Sequence, residues 1–135
     1  MKRSRNKRTM KGFEQMRMND QVYALRRKVI EIIYQANDKL RDAGLPKLPR
    51  QTVRIVDSKE CTNVAGYAWM GQDIVHIMQD TCRKDYLLHT VLHELCHSVL
   101  AVRHDEECPL MASCLPHCAV SEDKLWDTFI DYFRK

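Results

Sequence analysis

One short pattern, HELCH from His93 to His97, restricts the fold of this chain more than any other feature of its sequence. It lies in an apolar, periodic segment that predicts a helix from about Lys84 to Val102. Because an α-helix has 3.6 residues per turn, histidines four positions apart project from one side and can bind a single metal ion. Glu94 falls beside that ion, where it can take a proton from a metal-bound water. The fold must therefore hold this helix between a hydrophobic core and an open cleft.

The metal site needs a third protein ligand, since a catalytic zinc ion commonly has three together with a water. We expect His104 to supply it after the chain turns back from the helix, with Asp105 and His117 as the alternatives. Zinc would lower the pKa of its water towards about 7. Glu94 would be the general base for that water and would then pass the proton to a leaving amine. The competing interpretation is a charged helix face with two solvated histidines.

The chain ahead of the motif begins with a basic segment and a long helix. Residues 1–12 are rich in Lys and Arg, contain no acid, and are predicted to form a disordered tail. From Phe13 to Ala43, apolar residues recur at spacings of three and four, which predicts one amphipathic helix with Gly44 at its end. Residues 13–135 then form a single domain, because a chain of 135 residues is long enough for one hydrophobic core.

Three segments between this helix and the motif have the alternating pattern of strands: 52–57, 64–70 and 74–78, the last two joined as a hairpin. After the motif comes an irregular loop, and Ser121 is the predicted N-cap of a C-terminal amphipathic helix. The predicted fold is therefore α+β. A small, mixed, twisted β-sheet is packed by the long N-terminal helix and the active-site helix, and the C-terminal helix follows them.

Composition adds expectations about compartment and partners. The sequence has no apolar run near the roughly 20 residues of a membrane span, and its basic start lacks the apolar stretch of a signal peptide. We therefore expect a cytoplasmic protein, not in a membrane, whose six cysteines are reduced. The cations within residues 2–11 suit either a solubilising tail or contact with nucleic acid. The other expected partner is a peptide or protein substrate, bound by a monomer.

Residues from about 64 to 133 resemble a compact metzincin zinc peptidase of the matrixin or archaemetzincin type. The segment from Gly66 to Met70 resembles the edge strand above the cleft in that family, and HELCH with His104 resembles its extended zinc motif. Pro109 to Ala112 resembles the family's Met-turn, with Met111 as its methionine, and the acidic start of the last helix resembles the closing helix. The resemblance implies a metzincin-like fold and zinc-dependent hydrolysis of peptide bonds.

The end of the motif departs from the family pattern H-E-x-x-H-x-x-G-x-x-H. That pattern would place the third histidine at position 103, which is Arg103 here, one residue before His104. The family's glycine is also absent, with Leu100 and Ala101 in its region. Glycine adopts a positive φ at little cost, whereas other residues do not. We expect the extra residue to make a wider turn that needs no glycine.

The resemblance also implies how a substrate binds. An extended peptide would pair antiparallel with the edge strand, receiving main-chain hydrogen bonds from Gly66, Tyr67, Ala68 and Trp69. The alternative is that the aromatic rings of Tyr67 and Trp69 pack in the core.

The remaining histidines and cysteines carry weaker signals. Cys108, Cys114 and Cys118 lie after the motif, where archaemetzincins bind a second, structural zinc, although the spacing differs. Free thiols or one disulfide are the alternative to that second zinc. We expect His89 to be a solvated neighbour of the site, with a place in the lining of the cleft as the alternative, and we expect His76 to be structural.

Two other functions fit parts of the sequence. A SprT-like protease that acts on DNA-bound proteins also places a histidine after H-E-x-x-H and would suit a basic tail, but Met111 favours the metzincin interpretation. A non-catalytic, zinc-stabilised module that binds protein or nucleic acid is the third hypothesis. Glu94 argues against it, because a structural zinc site has no use for a general base.

Overall fold

The computed structural model describes residues 2–57, 64–113 and 120–135, with side chains from Asp20 onward. Three helices and three strands follow in the order α1 (Lys2–Asp42), β1 (Thr52–Val56), β2 (Gly66–Ala68), β3 (Ile74–Met78), α2 (Leu87–Leu100) and α3 (Glu122–Arg134), with a 3₁₀ turn at Thr81–Arg83 before α2. The predicted α+β class is confirmed.

The sheet is mixed, with β3 between the other two strands. β1 runs parallel to β3, and β2 pairs antiparallel with β3 as the predicted hairpin. β3 has its predicted bounds, whereas β2 is shorter than the predicted segment 64–70 because the chain already turns after Ala68. Gly71 in that turn has φ 68°, which glycine adopts without strain.

The strand register sorts side chains between two faces of the sheet. Val53 lies beside Val75, which in turn lies beside Ala68, and the two valines belong to the hydrophobic core with the buried residues of all three helices. The opposite face carries Arg54, His76 and Tyr67, also side by side. Alternation along each strand therefore places the helices on the first face.

Helix α1 begins at Lys2 rather than near Phe13, so its backbone covers the basic segment for which the sequence predicted a disordered tail. Residues 2–11 contain no proline and are mostly Lys, Arg and other residues that tolerate a helix. The predicted end is confirmed. Gly44 has φ 74°, and the N–H of Leu45 donates to the carbonyl of Leu40 at 2.8 Å, as in a glycine-terminated helix.

Helix α3 starts as the sequence predicts. The Ser121 hydroxyl accepts a hydrogen bond from the N–H of Lys124 at 3.2 Å, and Glu122 and Asp123 lie in the first turn, where the helix dipole favours acids. The fully buried ring of Phe129 joins α3 to the core. No helix in the described part of the chain combines the length and apolar character that crossing a bilayer requires.

Candidate metal centre

Helix α2 carries the motif and is enclosed along most of its length. Every residue from His89 to Ser98 is buried, including the polar ones. The helix begins at Leu87 and ends at Leu100, inside the predicted range of 84–102. It contacts β2, β3, α1 and α3, so its polar side chains must find partners within the protein.

Three histidines meet at one side of this helix. One side-chain nitrogen from each of His93, His97 and His104 lies within 4.8 Å of the others, a group that can hold a metal ion. The Nε2 atoms of His93 and His97 are 3.0 Å apart. Two nitrogens bound tetrahedrally to one zinc ion would lie about 3.3 Å apart, so the donor set fits such an ion. The structure therefore brings together the three predicted ligands.

The hydrogen bonds of His93 and His97 show which ring nitrogen carries the hydrogen and which carries the lone pair. Nδ1 of His93 lies 2.8 Å from the carbonyl oxygen of Leu110, and Nδ1 of His97 lies 2.5 Å from that of Val102. A carbonyl oxygen only accepts, so each Nδ1 carries the hydrogen and each neutral ring leaves a lone pair on Nε2. Two such lone pairs face each other, an arrangement that a shared cation stabilises.

Burial keeps these rings in the form that binds metal. Loss of solvent lowers the pKa of His93 from 6.5 to about 4 and also lowers the pKa of His97. Hydrogen bonds to the two carbonyls oppose this effect without cancelling it. Both imidazoles are therefore neutral near pH 7, as metal binding requires.

The turn that delivers His104 uses an alanine where the related motif has a glycine. Ala101 follows α2 with φ 54° and ψ 31°, the left-handed conformation. The N–H of Val102 then reaches back to the carbonyl of Cys96 at 3.2 Å. That bond spans one residue more than the corresponding bond in a glycine-terminated helix, so the turn is wider, as expected. It contains no glycine but still needs a positive φ.

Glu94 lies beside the three histidines and is almost inaccessible to solvent, at 3% exposure. Burial raises the pKa of its carboxyl from 4.5 to about 8. A β-carbon placed on Gly66 would lie 3.3 Å from Oε2 of Glu94 and only 2.7 Å from the carbonyl oxygen of His76. Only glycine thus permits this close pairing of β2 with β3, and a larger residue would also crowd the carboxylate. This requirement is invisible in the sequence.

An open cleft of about 420 Å³ connects this group to solvent. Its walls include Gly66, Tyr67 and Ala68 of the edge strand β2, together with the three histidines and Glu94. Trp69, the fourth residue predicted to bind substrate, lies outside β2 and is not part of the wall. Trp69 is 58% exposed, and its ring centre lies 5.5 Å from that of His76, whereas Tyr67 stacks on His76 with ring centres 4.1 Å apart. Trp69 is therefore not a core residue.

The segment predicted as a Met-turn is a turn with a buried methionine. Met111 and Leu110 are fully buried, and the N–H of Ala112 donates to the carbonyl of Cys108 at 3.1 Å. The turn contacts the site through the Leu110 carbonyl, which orients His93. The sequence missed this acceptor and the Val102 carbonyl, because a backbone group has no signature in the residue type.

Other predicted candidates lie elsewhere. The carboxylate of Asp105 accepts a hydrogen bond from the N–H of Glu107 at 3.1 Å, and Asp105 is not in the histidine group. His117, Cys114 and Cys118 are outside the described residues. Cys108 is a free, half-buried thiol, so only one of the three ligands of the suggested second zinc is described.

The expectation for His89 was wrong. The side chain is 6% exposed, because the Pro109–Leu110 segment covers it, and its Nε2 has no partner among the described residues. His76 is buried between the sheet and two aromatic rings, a structural position.

Comparison of the chain with models of protein families, with curated proteins and with solved structures found no match. The metzincin resemblance remains a prediction that rests on the residues quoted for it.

Proposed function

We propose that this protein is a zinc-dependent peptidase. The supporting observation is the pairing of two neutral imidazoles, His93 and His97, whose Nε2 lone pairs face each other 3.0 Å apart beside Glu94. His104 completes the group at the open cleft. Three imidazoles with a carboxylate next to them, rather than among them, suit a catalytic site in which one coordination position stays open.

The donor set favours zinc over hard cations. Imidazole nitrogens suit zinc, copper, iron and nickel, whereas magnesium and calcium prefer oxygen ligands. The backbone carbonyls of Leu110 and Val102 fix the orientation of two rings, as supporting hydrogen bonds do at many zinc sites. A purely structural zinc would leave the buried Glu94 without a role.

Each residue then has a defined task. Zinc bound at this site would lower the pKa of a water and polarise the carbonyl of the substrate. His93, His97 and His104 would hold the ion. Glu94 would accept the proton of the attacking water and donate it to the amine that leaves when the peptide bond breaks.

The edge strand β2 supports an extended peptide as the substrate. β2 pairs only with β3 in the described sheet, so its other edge lies open beside the cleft. An extended chain can add to such an edge through main-chain hydrogen bonds. Val64, Ala68 and Met70 give the cleft apolar walls, which suit uncharged side chains near the scissile bond.

Metal content and peptide hydrolysis of three variants test the proposal. His104→Ala should lose zinc, and Glu94→Gln should keep zinc but lose at least about a hundredfold in kcat, the scale of general-base catalysis. Arg103→Ala, next to the ligand and exposed, is the matched control and should keep both. Hydrolysis that survives in Glu94→Gln would overturn the mechanism. Stoichiometric zinc in His104→Ala would remove that residue as a ligand.

A further inference from the structure

A second concave surface lies at the edge of the sheet opposite to the cleft. It is a groove of about 440 Å³ between α1 and the loop that leads into β1. Leu48 and Val53 form part of its floor together with Ile30 and Ile33 of α1. The volume is within the range of about 300–1,000 Å³ that is usual for ligand sites. We name this surface the β1 groove.

The rim of the β1 groove is positively charged. Arg26, Lys47 and Arg50 line it, and no acidic residue does. None of the three forms an ion pair within the described part of the chain, whereas Asp38, further along α1, pairs with Arg41 at 3.5 Å. The groove thus presents cations whose charge is not neutralised by described neighbours.

The walls of the groove are held in place by hydrogen bonds. Nε of Arg26 donates to the carbonyl of Val53 at 3.1 Å, which fixes the guanidinium over the strand. The N–H of Leu48 donates to the side-chain oxygen of Asn37 at 2.9 Å, which fixes the loop against α1. The Gln51 amide donates to the carbonyl of Pro49 at 2.8 Å. A pre-formed wall lowers the entropy that a ligand must overcome.

An aromatic ring lies exposed at the same rim. Tyr34 is 64% exposed although it lines the groove. Tyr23 is also exposed, at 59%, and lies eleven positions earlier, about three helical turns, on the same side of α1. Exposed aromatic rings and unpaired cations are the two elements with which proteins bind unpaired nucleotides, by base stacking and by phosphate contact.

We propose that the β1 groove binds single-stranded nucleic acid, with a base stacked on Tyr34 and phosphates on Lys47 and Arg50. An acidic peptide would pair with the cations, but its carboxylates would not stack on the exposed ring of Tyr34. A duplex hides its base faces, so stacking on Tyr34 favours a single strand. In the sequence, residues 2–11 add six cations (Lys2, Arg3, Arg5, Lys7, Arg8 and Lys11) and no acid, a charge balance that favours polyanions in general.

The groove and the cleft lie at opposite edges of the sheet, separated by β3. A bound single strand would therefore leave the cleft open. The proposal is independent of peptidase activity, and its test does not depend on hydrolysis.

Fluorescence anisotropy with a labelled oligothymidylate of about 12 nucleotides tests the proposal on the full chain. The double variant Lys47→Gln/Arg50→Gln should bind on the order of tenfold more weakly and should lower the slope of log affinity against log salt by about 1.4, or 0.7 for each phosphate contact. The matched control Lys84→Gln/Lys124→Gln removes the same charge from exposed positions outside the groove and should bind nearly as the wild type does.

Substitutions of Tyr34 test whether the ligand is a single-stranded nucleic acid or another polyanion. Tyr34→Leu should weaken oligothymidylate binding about tenfold, and Tyr34→Phe should restore it, because stacking needs only the ring. A polyglutamate peptide and a duplex of equal charge should bind more weakly than the single strand. Equal loss in the groove and control double variants would overturn the proposal. Preferred binding of polyglutamate or duplex, or indifference to Tyr34→Leu, would overturn it as well. Unchanged thermal midpoints verify that the variants are folded.

Discussion

Helices α1 and α2 pack on the same face of one small sheet but differ in how much of their surface is buried. From Asp20 onward, α1 buries a single stripe, including Val29, Ala36 and Leu40, and leaves its charged residues in solvent. α2 is buried at every position from His89 to Ser98, and most of these residues are polar. A helix such as α1 needs only a hydrophobic stripe. A helix such as α2 needs a partner for each polar group.

The partners of α2 come mostly from other parts of the chain. Ser98 donates to the side-chain oxygen of Gln51 at 2.6 Å, Thr90 donates to the carbonyl of Tyr86 at 3.1 Å, and two histidines bond to backbone carbonyls beyond the helix. Among the described residues of α2, the buried side-chain atom without a hydrogen-bond partner is Nε2 of His89, and the Nε2 atoms of His93 and His97 have only each other. The comparison shows that a fully enclosed polar helix depends on hydrogen-bond partners from the rest of the fold, whereas a half-exposed helix does not.

The C-terminal ends of α1 and α2 also differ. Both need a left-handed residue, but α1 uses Gly44 and α2 uses Ala101. The carbonyls at the end of α2 also accept hydrogen bonds from the β2–β3 turn, where the N–H of Gly71 donates to the carbonyl of His97 at 2.9 Å. These tertiary contacts hold Ala101 in a conformation that alanine adopts at a cost of about 1 kcal/mol.

The largest expected effect tests the burial of the acid on α2. The pKa of Glu94 is raised from 4.5 to about 8, so the metal-free folded state holds a proton that the unfolded state releases. Stability from this group is present below pH 4.5 and is lost as pH rises towards 8. Without metal, Glu94→Gln should therefore become more stable than wild type by up to about 4 kcal/mol at pH 8, with little difference at pH 4.5.

Urea unfolding at several pH values measures this difference. The exposed acid Glu31 of α1 supplies the matched control, and Glu31→Gln should show no such trend. A constant difference between Glu94→Gln and wild type across this pH range would contradict the burial of an ionisable carboxyl in α2.

The next effect concerns the end of α2. Ala101→Val places a β-branched side chain at φ 54° and should destabilise the protein by about 2 kcal/mol, with weaker zinc binding because His104 is displaced. Ala101→Gly should stabilise it by about 0.5–1 kcal/mol and leave zinc binding intact. Thermal unfolding with and without zinc measures both. Loss of stability in Ala101→Gly would show that the left-handed turn is not strained.

The smallest effect concerns the end of α1. Gly44 has φ 74°, and no atom lies within 4 Å of the position that a β-carbon would take there, so Gly44→Ala meets no steric clash. It should cost only the conformational penalty of about 1 kcal/mol and should not change zinc content. Thermal unfolding and metal analysis measure the two quantities. A change in zinc binding in this variant would show that the end of α1 influences the metal site at the end of α2.

Local sequence patterns predicted the elements that local chemistry controls. The apolar repeat of α1 with Gly44, the bounds of β3 and the Ser121 cap were all correct, because each depends on residues close in sequence. Predictions that depended on distant packing were less accurate. His89 is buried rather than solvated, and β2 ends at Ala68 rather than at Met70. Burial of a side chain depends on which segment covers it, and no local pattern specifies that.

The sequence by itself determined that His93 and His97 meet, since helical spacing puts them together. It favoured His104 as the third member of the site but left Asp105 and His117 as alternatives, and the structure places His104 beside the other two histidines. Tertiary structure decided the chemical state of the site. The carbonyls of Leu110 and Val102 assign the lone pairs, and burial shifts the pKa values of His93 and Glu94. Spacing along a helix is a property of the backbone, whereas protonation depends on solvent exclusion and on partners that only the folded chain brings near.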